Sequence, residues 1–175
     1  MSKTFFISDL HLGHSNIYKV PFRTAEGERM RRFLTMQEAE DFMVEQWNSV
    51  VKERDTVYVL GDVAFNIKGL ERMREMKGRK ILISGNHDGL ETREYLKYFA
   101  KVQGIRYMKK QGFLLSHIPI HPSQFEAGRF THNIHGHLHT YKIDDPRYVN
   151  VSVEQLNYTP ISLKNLKGFL GKDTL

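Results

Sequence analysis

The sequence predicts a layered α/β domain, and three observations lead to this. Buried-strand patterns alternate with helical patterns in the first half, short strand-like runs fill the second half, and no linker or repeat divides them. At 175 residues the chain suits one domain with a substantial core. We therefore expect a single domain over residues 1–175, with one mixed sheet or two packed sheets and helices outside.

The first half alternates strands and helices. Its apolar runs are short and end on polar residues or glycine, as buried strands do. Thr35 followed by Glu38 forms a capping box, and apolar residues then recur at helical spacing to about Arg54. The predicted strands are 4–8, 56–60 and 80–84, and the predicted helices are 35–54, 69–77 and 92–99.

The second half changes to material that we expect to be antiparallel. Residues 102–108 and 113–116 are interpreted as the arms of a hairpin, with 109–112 as the turn. Residues 133–136 and 148–153 are predicted to be further strands.

The amino-acid composition limits which metal sites, nucleophiles and binding partners the chain can have. The chain has no cysteine, which excludes disulfides, a thiolate nucleophile and Cys-based zinc sites, so any metal is held by nitrogen and oxygen ligands. The net charge of +6 suits anionic partners such as phosphates or nucleic acid, although a solvated basic surface is the commoner reason for such a charge. With no signal-like segment and no run of ~20 apolar residues, we expect a cytoplasmic protein without membrane association.

Polar residues follow each of the first three predicted strands. These blocks are Asp9-Leu10-His11, Gly61-Asp62 and Gly85-Asn86-His87-Asp88. Each alone could be an ordinary turn. The carboxyl ends of strands in open α/β sheets converge on one crevice, however, so the three blocks together indicate a shared site.

The second half supplies histidines to the same predicted site. Ser116-His117 ends one predicted strand, and His137 and His139 lie two residues apart, which places both on one side of an extended segment. Together with the strand-end blocks, these histidines make seven nitrogen and oxygen ligands, which is a supply that two ions with a shared bridging ligand would use. Asp62 is the predicted bridge, because a carboxylate has two oxygens and Asp62 follows the middle strand. The seven predicted ligands are Asp9, His11, Asp62, Asn86, His117, His137 and His139.

In chain order the motifs D-L-H, G-D, G-N-H-D, S-H and G-H-L-H resemble those of the calcineurin-like metallophosphoesterase superfamily, in its compact bacterial and phage-type form. The resemblance runs from Asp9 to about Glu154 and implies a four-layer α/β/β/α sandwich of two mixed sheets. One departure follows Gly61-Asp62, where many relatives have a longer block ending in Asp or Arg and this chain has Val63-Ala64-Phe65-Asn66.

The resemblance also implies roles. Asp9, His11 and His139 would bind one divalent metal, Asn86, His117 and His137 the other, and Asp62 would bridge them. His87 would be the general acid, with Asp88 orienting it. The implied cofactors are two divalent ions, with manganese favoured over iron, zinc, nickel or cobalt, and the implied assembly includes a homodimer.

The predicted function is therefore hydrolysis of a phosphate ester, most of all a small or cyclic-nucleotide diester, by attack of a metal-bridging hydroxide. A nuclease acting on DNA or RNA ends and a non-catalytic metal-binding scaffold remain alternatives, although a scaffold would be expected to lose His87 or several ligands.

Substrate binding is predicted for His14, Asn16 and Arg23, each of which could instead be an exposed surface residue. Arg29, Arg31, Arg32 and residues 72–80 could form a nucleic-acid surface or two solvated faces. The remaining histidines, His121, His132 and His135, are interpreted as structural.

Overall fold

The computed structural model describes residues 2–19, 24 and 27–170. Two sheets lie face to face in this part of the chain, with helices flanking them. In chain order the strands are β1 (Thr4–Ile7), β2 (Thr56–Val59), β3 (Arg79–Ile83), β4 (Lys101–Gln103), β5 (Arg106–Met108), β6 (Phe113–Leu115), β7 (His132–His135), β8 (Tyr148–Asn150) and β9 (Ile161–Ser162), and the helices are α1 (Met36–Val50), α2 (Ile67–Glu71), α3 (Thr92–Tyr95) and α4 (Leu163–Phe169).

The first sheet has the order β4-β3-β2-β1-β9, in which β1 to β4 are parallel and β9 is antiparallel to β1. Strands β1, β2 and β3 are buried on both faces, since successive side chains point to opposite sides and a core covers each side. Phe5 and Val57 face the core shared with α1, whereas Phe6 and Tyr58 face the second sheet. The three strands predicted in the first half are confirmed within one residue at each end.

Helix α1 begins where the capping box predicts. The Thr35 hydroxyl accepts a hydrogen bond from the Glu38 amide at 3.2 Å, which satisfies one free amide of the first turn. Its apolar side chains, Met43 and Trp47 among them, are buried against the first sheet. The helix ends at Val50, earlier than the predicted Arg54, because Val51 has an extended backbone. The helices predicted at 69–77 and 92–99 are shorter α-helices, α2 and α3, the first continued by a 3-10 turn over Arg72–Arg74.

The second sheet has the order β5-β6-β7-β8 and is mostly parallel. Only β5 and β6 form the predicted antiparallel hairpin, with Gly112 at φ 68° ending its turn. The expectation of antiparallel pairing is wrong for β6-β7 and β7-β8, because long loops carry the chain back to the same end of the sheet before each strand. The strand predicted over 102–108 is also wrong as one unit: β4 pairs with the first sheet and β5 with the second.

A second core lies between the two sheets. Phe6, Leu60 and Ile83 of the first sheet pack there against Leu115 and Ile134 of the second. Helix α4, which the sequence analysis did not predict, adds Leu166 to this core. Two mixed sheets with flanking helices confirm the predicted fold class. None of the helices in the described residues is long and apolar enough to cross a membrane.

Candidate metal centre

Polar loops from both sheets meet at the carboxyl ends of their parallel strands. Backbone hydrogen bonds join these loops: the amide of His11 donates to the carbonyl of Asp62 at 2.9 Å, and that of Gly136 donates to His117 at 3.0 Å. The Ser8 amide also donates to the carbonyl of Val151, directly after β8 of the second sheet, at 2.9 Å. The two sheets are therefore connected at the place where the sequence predicts ligands.

Two overlapping groups of Asp and His side chains could hold metal ions. Asp9, His11 and His139 form one, and Asp9, Asp62 and His117 form the other, with the candidate ligand atoms of each group within 4.8 Å of one another. Oδ2 of Asp62 lies 3.6 Å from Nε2 of His11 and 3.3 Å from Nε2 of His117, the position expected of a bridge. Asp9 belongs to both groups, a sharing that the sequence analysis did not anticipate.

The remaining two predicted ligands lie beside the second group. Oδ1 of Asn86 is 2.9 Å from Nε2 of His117, and the His137 ring centre is 5.2 Å from that of His117. The His137 amide also donates to both carboxylate oxygens of Asp9, at 3.0 and 3.2 Å. All seven predicted ligands thus come together, while their individual roles stay predictions.

Most of these residues have a strained backbone. Asp9, His11, Asp62, His137 and His139 have φ between 50° and 68°, in the left-handed region that side chains other than glycine rarely adopt. Among the described non-glycine residues, only Asn157 and Tyr158 share this conformation. Such strain costs of order 1–3 kcal/mol per residue and concentrates at functional sites, so its distribution supports a site here.

Two glycines leave room for carboxylates from other loops. A Cβ atom on Gly136 would lie 2.4 Å from Oδ2 of Asp9, and one on Gly85 would lie 2.2 Å from Oδ1 of Asp62. Both distances are too short for non-bonded atoms. The glycines that precede His137 and Asn86 in the motifs are therefore required by packing around the ligands.

The protonation properties of the centre suit a divalent cation. Burial, and then the charge of Arg31, hold the pKa of His11 well below its usual value, so its imidazole is neutral near pH 7. Neither ring nitrogen of His11 has a hydrogen-bond partner among the described residues, although the residue is only 3% exposed. Burial alone would raise the pKa of Asp62, but the hydrogen bond and charge of His117 outweigh it and the pKa is lowered. A neutral, unsatisfied imidazole beside an ionised carboxylate is an arrangement that fits a metal ion.

A buried ion pair that the sequence analysis missed supports one side of the centre. Arg31 is only 1% exposed, so its assignment to a basic surface is wrong. It donates to the carbonyls of Asp9 and Leu10 and, at 2.9 Å, to Oε1 of Glu154. Both carboxylate oxygens of Glu154 lie 3.2 Å from Nδ1 of His139, which directs Nε2 of that ring towards Asp9. No local motif marks Arg31 or Glu154, because 123 positions separate them.

His87 and Asp88 occupy different positions at the rim. The His87 side chain is exposed, with its ring centre 5.6 Å from that of His11, and its amide donates to Oδ1 of Asp62 at 2.9 Å. The Asp88 carboxylate accepts hydrogen bonds from the amides of Asp62, Val63 and Gly85 at 2.7–3.0 Å. Asp88 therefore holds the Asp62 loop, and its predicted effect on the His87 ring stays a prediction.

The predicted substrate-binding residues differ in where they lie relative to the candidate metal centre. His14 lies at the centre, with its ring 5.6 Å from that of His11 and stacked on Phe65 at 3.8 Å. Asn16 is exposed and accepts a hydrogen bond from Lys19. Arg23 lies outside the described residues. Phe65, which no substrate prediction included, is the residue that joins His14 to His87.

The Asp/His clusters at the carboxyl ends of the strands suit a metal-dependent phosphoesterase. Residues 3–153 match the model of the calcineurin-like phosphoesterase superfamily domain, and the chain belongs to that superfamily.

Its relatives include an uncharacterized protein of Methanocaldococcus jannaschii, 32% identical over 174 residues that cover 93% of this chain and 88% of that protein. The gene 66 protein of Mycobacterium phage D29 is 28% identical, with 88% of this chain and 89% of that protein covered. A crystal structure of a protein of unknown function from Aquifex aeolicus has a TM-score of 0.71 and 27% identity, and the match covers 96% of this chain and 99% of that one.

Proposed function

We propose that this protein is a phosphodiesterase that uses two divalent metal ions and acts on small or cyclic-nucleotide-type diesters. The observation that carries the proposal is the pair of Asp/His groups that share Asp9, with Asp62 between His11 and His117. Membership of the calcineurin-like phosphoesterase superfamily supports the same reaction class.

The residues present would hold the ions in the manner that the sequence predicts. Asp9, His11 and His139 would bind the first ion, Asn86, His117 and His137 the second, and Asp62 both. Ions bound there would neutralise phosphoryl oxygens and lower the pKa of water. Mixed imidazole, carboxylate and amide ligands suit several first-row metals, and we propose manganese among them.

The chain's own contribution to the reaction is positioning and proton transfer. His87 is exposed at the rim of the centre, where its protonated ring would donate to the departing ester oxygen. Its backbone N–H donates a hydrogen bond to Oδ1 of Asp62, which fixes that loop relative to the predicted ligands. Arg31 and Glu154 hold His139 and the backbone around Asp9, so that the ligands need little rearrangement when they bind an ion.

The proposal is tested by adding single metals to chelator-treated protein. Manganese, iron, zinc, nickel and cobalt are compared on bis(4-nitrophenyl) phosphate, 4-nitrophenyl phosphate, cyclic nucleotides and nucleoside monophosphates. We expect manganese to restore the highest rate, a preference for diesters, and two ions per chain by elemental analysis. Activity that chelation leaves unchanged, or a single ion at full activity, contradicts the proposal.

A nuclease is the second candidate, because the chain carries a net charge of +6. Much of the predicted basic surface is already engaged, however. Arg31 is buried on Glu154, Arg32 lies over the ring of Phe42 with its charge centre 4.8 Å from the ring centre, and Arg72 pairs with Asp41 and Glu75 at 2.8 Å. Cleavage of single-stranded DNA, with affinity that falls steeply with salt, would favour the nuclease.

The predicted homodimer is a separate proposal. Measurement of the molar mass in solution tests it.

A further inference from the structure

An exposed aromatic ring stands beside the predicted general acid. Phe65 is 44% exposed, whereas Val63 and Ala64 before it are buried. A single exposed apolar side chain is common on protein surfaces and carries no meaning alone. The position of this ring is what matters, because its centre lies 5.4 Å from that of His87 and 6.4 Å from that of His11.

The ring is held in place by its neighbours. It stacks on His14 with 3.8 Å between ring centres and 6° between ring planes. Its amide donates to the carbonyl of Leu12 at 2.8 Å, and the side chain of Asn66 donates to the carbonyl of Gly13 at 3.0 Å. A binding group with so few free torsions loses little entropy when a ligand contacts it.

The position of Phe65 relative to His87 determines which part of a substrate the Phe65 ring can contact. The general acid must lie next to the ester oxygen that departs, so the substituent on that oxygen lies near His87. Phe65 adjoins His87 on the rim and presents a partly exposed carbocyclic surface there. Stacking on such a surface favours any planar aromatic group and does not depend on hydrogen-bond pattern.

We propose that Phe65 is a specificity residue that selects phosphate esters whose leaving group carries a planar aromatic ring, such as a nucleobase or an aryl group. The inference rests on the proposed function, since it places the leaving group beside His87. His14 supports the ring from behind, which gives this predicted substrate residue an indirect role through Phe65.

Binding of two non-hydrolysable phosphonates tests the inference without turnover. Benzylphosphonate and ethylphosphonate carry the same charge, replace the ester oxygen by a methylene group, and differ in the aromatic ring. With manganese-loaded protein, calorimetry should show benzylphosphonate binding about tenfold more tightly than ethylphosphonate. Phe65→Leu, which keeps an apolar side chain of similar bulk, should reduce that ratio to about two, and Phe65→Trp should preserve it.

Leu34→Ala is the matched control, because Leu34 is 74% exposed and lies outside the ring cluster. This variant should keep the wild-type ratio. Equal affinity of the wild type for both phosphonates, binding of neither, or a ratio that survives Phe65→Leu overturns the inference. Hydrolysis of bis(4-nitrophenyl) phosphate by the wild type is measured in parallel. Absence of hydrolysis with an intact affinity ratio counts against the proposed function alone, and hydrolysis without the ratio counts against Phe65 alone.

A second pair of ligands distinguishes whether the aromatic ring that Phe65 contacts is a nucleobase or a smaller aryl group. AMP and ribose 5-phosphate share the phosphate and the sugar and differ in the base. If Phe65→Leu weakens AMP roughly fivefold more than ribose 5-phosphate, the ring accepts a nucleobase. If only the benzylphosphonate preference falls, the substrate is a smaller aryl ester, and both outcomes support selection by Phe65.

Discussion

The two sides of the metal centre are built differently. The side of Asp9, His11 and His139 is enclosed, with Asp9 fully buried and with the Arg31–Glu154 pair behind it. The side of Asn86, His117 and His137 is open at Asn86, which is exposed, but its His117 is buried and held by the Leu60 carbonyl at 2.7 Å. The first side thus depends on a buried ion pair, whereas the second reaches the surface at Asn86.

The largest effect is expected from the residue that joins the two sides. Asp62→Ala removes the carboxylate between His11 and His117, so paired metal binding and activity should be lost together. We expect turnover to fall by roughly 10³-fold or more, since metal-centred charge stabilisation is worth several kcal/mol. Rates and metal content are measured on the same preparation, with circular dichroism as the folding control. An Asp62→Ala enzyme with full activity would refute the two-metal proposal.

The leaving group should lie beside His87, whose ring adjoins His11 at the rim of the centre, and substitution of His87 tests this. His87→Ala should reduce turnover of diesters with alkoxide leaving groups by about 10²-fold, because these oxygens need a proton as they depart. Bis(4-nitrophenyl) phosphate should lose much less, since nitrophenolate leaves without protonation. The measurement is the ratio of kcat values on the two substrate types. Equal losses on both would remove the general-acid role.

The enclosed side is tested through Glu154. Glu154→Gln leaves the guanidinium of Arg31 buried without its counter-charge, which should destabilise the fold by about 3–5 kcal/mol. It also weakens the acceptor for His139 Nδ1, so affinity for the first metal should fall by about 10- to 100-fold. Denaturant unfolding and metal titration report the two effects separately.

Asp145→Asn is the control for that substitution, since it breaks a partly exposed ion pair to Arg147. Exposed pairs contribute about 0–1 kcal/mol, so its effect should be small. A Glu154→Gln variant as stable as Asp145→Asn would show that the buried pair does not support the enclosed side.

Features that follow from local sequence could be predicted, whereas features that depend on long-range packing could not. The predicted ligands follow their strands within a few residues, so the local sequence pattern located Asp9, Asp62 and Asn86 at strand ends. The Arg31–Glu154 pair joins positions 123 residues apart and depends on how α1 and the sheet connections pack. Likewise β6, β7 and β8 are short strands whose parallel pairing depends on the course of their loops, which no local pattern specifies.

Apart from the Asp145→Asn control, the smallest effect is expected at the opposite end of the strands, at Asp55. Its carboxylate accepts hydrogen bonds from the amides of Lys3 at 2.7 Å and Lys52 at 2.9 Å, which lower its pKa from the usual value. Asp55→Asn should cost about 1 kcal/mol at pH 7 without changing metal affinity. Because the folded-state pKa is the lower one, the stabilisation by Asp55 is present above the unfolded-state pKa of about 3.9 and is lost as pH falls below it. The stability difference between wild type and variant, measured by urea unfolding from pH 7 to 3, should therefore shrink below about pH 4. A difference that stays constant with pH would assign the effect to packing, and a change in metal affinity would mean that the two ends of the sheet are coupled.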